Sequence, residues 1–117
     1  MTPDAFEQHV RGEATGFAFI RGMVILDKTA NTVKLRLHIT AECFVQVYTN
    51  VRKGLLSYTL VLHQTRLYGR DNDGTGWHRH PYSAPESHDF SEEGARPVSL
   101  AEFLDEVQQI LTAEGIL

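Results

Sequence analysis

From Thr32 to Thr40 the chain alternates without a break. Val33, Leu35, Leu37 and Ile39 are aliphatic, and Thr32, Lys34, Arg36, His38 and Thr40 between them are polar. Successive side chains of a strand point to opposite faces, so this segment predicts a strand with one face in a core and the other toward water. The apolar face of a sheet built around it needs a cover. One long stripe of helical period is available for that: Leu100, Phe103, Leu104, Val107, Ile110 and Leu111. Ser99 and Glu102 have the spacing of a capping box at its start, and Gly115 stands where such a helix stops.

The neighbouring segments fill in the sheet. A strand is expected from Gly16, apolar on both sides, with Phe17, Phe19, Met23 and Ile25 opposing Ala18, Ile20, Val24 and Leu26. Phe44 to Thr49, Leu55 to Leu62 and Thr65 to Gly69 read as further strands, followed by a turn over Asp71-Asn72-Asp73-Gly74. Thr2-Pro3 suits a helix start, with Phe6 and Val10 on one face of a short helix that Gly12 ends. Residues 75–97 hold three of the four prolines and no clear period, and read as an ordered loop. Short connections between successive strands favour a meander over crossover units. The expected fold is α+β, a single domain over residues 1–117. It is an antiparallel β-meander of about five strands, with a short N-terminal helix and a C-terminal amphipathic helix packed on the sheet.

Composition narrows the function classes. One cysteine, Cys43, excludes an intrachain disulfide framework and a cysteine-based zinc finger, and reads as a small buried hydrophobe. A net charge of −4 argues against strong non-specific nucleic-acid binding. The stretch from Arg52 to His80 is nevertheless locally basic, with Arg52, Lys53, Arg66, Arg70 and Arg79 against Asp71 and Asp73. No apolar run approaches the ~20 residues of a membrane span, and no signal peptide is expected, so a cytoplasmic location without a membrane is. A first strand apolar on both sides predicts a homodimer or a partner chain over the uncovered face.

The chemistry-bearing residues gather late in the chain. Three of the six histidines, His78, His80 and His88, lie close together, with Arg70, Asp71 and Arg79 nearby. On an extended backbone His78 and His80 share a face, and a third imidazole arriving from a loop makes a three-nitrogen metal set, with Asp71, Glu86 or Asp89 as oxygen donors. The spacing of His78, His80 and Glu86 also resembles the cupin metal motif, although Pro81 and Pro85 interrupt it. A second reading is metal-free acid–base cleavage of RNA. There His78, His80 or His88 move protons, Arg70 or Arg79 meets the phosphorane charge, and Trp77, Tyr82 and Tyr68 stack bases. A third reading is a non-catalytic binding module whose histidine loop packs over a sheet edge. No cofactor is assigned, and the metal reading stays open.

The features also occur in a recognisable order. A meander ends in Ser57-Tyr58-Thr59-Leu60 and Leu67-Tyr68; then come Arg70-Asp71-Asn72, the loop His78-Arg79-His80-Pro81 with His88-Asp89, and the helix Ser99-Leu100-Ala101-Glu102-Phe103-Leu104-Asp105-Glu106-Val107. Over residues 17–112 this is similar to the TumE-type family, the small toxin partners of toxin–antitoxin pairs. The chain departs from that family in placing Asp73-Gly74-Thr75-Gly76 before Trp77, and Arg70 where an aromatic is expected. The resemblance implies a growth-inhibiting toxin acting on RNA or translation, of ribonuclease type if catalytic. It also implies a cognate antitoxin with a helix-turn-helix domain as partner.

Overall fold

The computed structural model describes all residues of the chain, 1–117. Helix α1 (Pro3–Ala14) is followed by strands β1 (Gly22–Lys28), β2 (Thr32–Thr40), β3 (Cys43–Asn50), β4 (Leu55–Leu62), β5 (Thr65–Asp73) and β6 (Trp77–His80), and by helix α2 (Leu100–Ala113). The strands lie in the sheet in chain order, and each pairs antiparallel with the next. The α+β meander expected from the sequence is therefore present, with six strands rather than about five.

The alternation of β2 does what its pattern dictates. Val33, Leu35, Leu37 and Ile39 are buried, as are Val45 and Val47 beside them on β3 and Leu60 on β4. Both helices cover this face. From α2 come Leu100, Phe103, Leu104, Val107 and Leu111, and from α1 come Phe6, Val10 and Ala14. The Phe103 ring packs on Tyr58 and Tyr68, with ring centroids 5.3 and 5.6 Å away. Ser99 caps α2 reciprocally: its hydroxyl accepts from the Glu102 amide at 3.1 Å, and the Glu102 carboxylate accepts from the Ser99 amide at 2.9 Å. Cys43 is fully buried, and burial pushes its thiol pKa up, as a core residue requires.

Three boundaries differ from expectation, each for a local reason. The first strand begins at Gly22, not Gly16. Residues 17–21 turn instead, with the Ile20 amide donating to the Phe17 carbonyl at 3.0 Å. That lets Phe17, Phe19 and Ile20 all pack against the core rather than alternate. Helix α1 passes through Gly12, whose missing side chain would meet nothing within 4 Å. Finally, β5 continues through Asp71 and Asn72 to Asp73. The reversal falls on Gly74 to Gly76, where Gly74 has φ +95° and the Asn72 and Asp73 side chains accept from the amides of Gly74 and Thr75. That hairpin creates β6 inside the segment read as a loop.

A histidine cluster at the sheet edge

Registration across the last three strands determines which side chains meet. Ser57 stands opposite Asp71, and Asp71 opposite His78; in the adjacent row Thr59, Gly69 and His80 stand abreast. All of these project from the face of the sheet that the helices leave uncovered. Position 69 is tight: a Cβ there would come within 3.1 Å of the Tyr58 carbonyl and would touch the His80 side chain at 3.8 Å.

The third histidine comes from the loop after β6. Asp89 forms a one-residue bridge to Arg79: its carbonyl accepts from the Arg79 amide at 3.1 Å and its amide donates to the Arg79 carbonyl at 2.8 Å. The carboxylate accepts from Arg79 Nε and from a terminal guanidinium nitrogen at 3.0 and 2.6 Å. Hydrogen bonds from Ser91 and then from Arg79 hold the Asp89 carboxyl down to about 2. Gly94 backs directly onto Asp89, where a Cβ would fall 2.2 Å from the Asp89 carbonyl oxygen. With Asp89 fixed in this way, its neighbours His88 and Phe90 lie beside His78 and stack on each other, with centroids 6.2 Å apart at 12°.

The three imidazoles form a nearly equilateral group. Ring centroids are 5.0 Å apart for His78–His80, 5.0 Å for His78–His88 and 4.8 Å for His80–His88. His78 Nε2 and His80 Nε2 are 3.2 Å apart, and Asp71 Oδ2 lies 3.2 Å from His80 Nε2 and 3.6 Å from His78 Nε2. The other Asp71 oxygen accepts from the Ser57 hydroxyl at 2.7 Å. His80 Nδ1 is 3.0 Å from the Pro85 carbonyl oxygen, which only accepts, and 3.2 Å from an Arg66 guanidinium nitrogen, which only donates. Both tautomers of the ring therefore find partners: Nδ1–H donates to Pro85, or the Nδ1 lone pair accepts from Arg66 while Nε2–H donates to Asp71. Burial, and then the Arg66 charge, push the His80 pKa below the ordinary histidine value. His78 Nδ1 is buried with no hydrogen-bond partner.

Of the residues singled out in the sequence, His78, His80, His88 and Asp71 are thus brought together. Arg70 and Arg79 are not. Each projects from the helix-covered face, Arg79 onto Asp89 and Arg70 onto Glu93 and Glu106. Tyr68 is buried against Phe103 and so is not free to stack a base, and Trp77 is half-buried beside Tyr58. Ser57, Arg66 and Phe90 belong to the cluster and were not anticipated. The strand register would have found Ser57, which faces Asp71; plain alternation puts Arg66 on the opposite face, and only the bulge in the β4–β5 pairing between Leu60 and Val61 turns it toward the cluster. Phe90 has no signal beyond its place two residues after His88.

The uncovered face continues away from the cluster. Strands β2 to β5 present Lys34, Arg36, Phe44, Tyr48 and Arg66 there, half-buried or exposed. The Arg36 guanidinium stacks over Phe44 at 4.2 Å. Two adjoining depressions of about 380 and 450 Å³ share Arg36, Phe44 and Gln64. The β4–β5 turn at their rim places His63 and Gln64 at φ +51° and +66°, left-handed positions that favour glycine and asparagine. No helix of the chain is long and apolar enough to cross a membrane. No protein-family model, curated protein or solved structure gives a significant match to this chain.

Proposed function

We propose that this chain is the toxin component of a bacterial toxin–antitoxin pair, and that it acts on RNA at the histidine cluster. One observation carries the reading: a cluster of three imidazoles, two of them buried, and a carboxylate opens onto a sheet face bearing Lys34, Arg36, Arg66 and part-exposed rings. Single-stranded RNA is held by such combinations, with cations on the phosphates and planar groups under the bases. Phe90, 67% exposed and stacked on His88, offers a ring beside the cluster. The stacked Arg36–Phe44 pair offers a second platform at the depressions. Of the other carboxylates on this face, Asp27 and Asp73 stand at its margins, and Glu42 lines one depression, paired with His63.

A cognate antitoxin with a helix-turn-helix domain is the expected partner. Edge strand β1 leaves Val24 and Leu26 each more than two-fifths exposed, an apolar margin suited to a partner chain or a second copy. The test is induced expression in a bacterium with and without the neighbouring gene, followed by RNA profiling. Growth arrest with new RNA ends, relieved by the neighbour and by His88→Ala, is the expected result. Unimpaired growth with an unchanged RNA profile would overturn the reading.

A further inference from the structure

Three imidazoles and a carboxylate meet in this cluster. His78 Nε2 and His80 Nε2 are 3.2 Å apart, Asp71 Oδ2 lies 3.2 and 3.6 Å from His80 Nε2 and His78 Nε2, and His78 Nδ1 is buried with no partner.

The spacing fits a metal ion. Ligands 2.0–2.1 Å from a tetrahedral zinc stand about 3.3–3.4 Å apart, and imidazole centroids about 1.1 Å farther out stand about 5.1–5.2 Å apart. The His78 and His80 Nε2 atoms are 3.2 Å apart, and the three centroids are 4.8–5.0 Å apart. The rings meet at 70°, 52° and 60°, so none of the three is stacked on another. One donor atom of each histidine lies within 4.8 Å of the others. His80 also has a backbone carbonyl 3.0 Å from its Nδ1, the kind of partner that orients a histidine whose other nitrogen holds a metal. We infer that His78, His80 and His88 bind one divalent transition-metal ion of the zinc class, with Asp71 beside it supplying negative charge. Imidazole donors select zinc, copper, nickel or iron over magnesium, which demands oxygen. Bound there, such an ion supplies Lewis acidity toward a phosphoryl oxygen. That catalytic role rests on the function proposed above; occupancy of the site does not.

The test uses the full-length protein, stripped with a chelator and titrated with zinc and with cobalt as a spectroscopic probe. One ion per chain is expected, with the visible bands of a tetrahedral cobalt centre, and excess magnesium should not displace it. Loss of a partner that orients a metal ligand costs roughly 10–100-fold in affinity, so His88→Ala should cost about 100-fold. His88 is exposed, so this variant should keep the wild-type melting temperature. His9→Ala, on α1, should bind as wild type. No ion bound by the wild type, or equal binding by His88→Ala, would overturn the inference. Growth arrest without metal binding would overturn the metal site and leave the toxin reading. Metal binding without growth arrest would do the reverse.

Discussion

Arg70 carries a guanidinium into a place water does not reach, and what it meets there comes from elements later in the chain. Nε and a terminal nitrogen donate to the two Glu106 oxygens at 2.8 and 2.7 Å, and the terminal nitrogens reach the Glu93 carbonyl and carboxylate, each at 2.9 Å. Burial works against the charge, and the Glu106 carboxylate outweighs it, so the pKa is raised. This residue ties β5 to α2 and to the loop that carries His88. Arg70→Ala is expected to cost about 2–4 kcal/mol, toward the lower part of what breaking a buried pair costs, because both carboxylates keep some water. Arg70→Lys should not restore the loss, since an ammonium cannot make the two-pronged contact. Urea unfolding measures this, and a loss below about 1 kcal/mol would contradict the tie. One position along, Asp71 faces the other way into the histidine cluster. The sequence placed Arg70 and Asp71 in one candidate set because they are adjacent; strand alternation sends them to opposite faces, and only the register of β4, β5 and β6 shows which face holds the site.

At the scale of elements, α1 shows how packing overrides a local stop signal. Pro3, Phe6, Val10 and Ala14 bury one face, and Gly12 lies on the other. A mid-helix glycine costs about 1 kcal/mol relative to alanine, and burial of that stripe offsets it. Gly12→Ala meets open space and should raise stability by about 0.5–1 kcal/mol, read as a higher melting temperature. An unchanged or lowered value would mean the helix does not persist past Val10. Strands β2, β3 and β4 and helix α2 were legible because each has one clean period and one buried face. Strand β6 was not. Its four residues carry a tryptophan, two histidines and an arginine, with prolines following at 81 and 85, so nothing local marks a strand. It exists because the Gly74–Gly76 turn folds it back on β5. The grouping of His78 and His80 could be read from their spacing, and His88 was expected to join them from a loop; the Asp89–Arg79 bridge that brings it there had no local signal.

For the whole molecule, both helices lie on one face of a six-stranded sheet, which leaves the other face and its edge cluster open to a ligand. The loop that completes the cluster is held by carboxylates. Glu93, paired with Arg96 and then Arg70, and Asp89, held by Ser91 and then Arg79, both sit at about 2, below their ordinary 4.5 and 3.8. Each binds a proton less readily folded than unfolded, so the stability they contribute is complete above about pH 4.5 and is lost as pH falls toward about 2. The urea midpoint should fall across that window, and Asp89→Asn should flatten part of the slope; equal slopes would remove Asp89 from the loop's support. The central claim is that three imidazoles from a strand and a loop converge on one ligand position. Anomalous diffraction at the zinc edge from zinc-loaded crystals tests it most directly. A single peak is expected about 2.0–2.1 Å from a nitrogen of each of His78, His80 and His88. A peak elsewhere, or imidazoles that diverge with no peak between them, would contradict it.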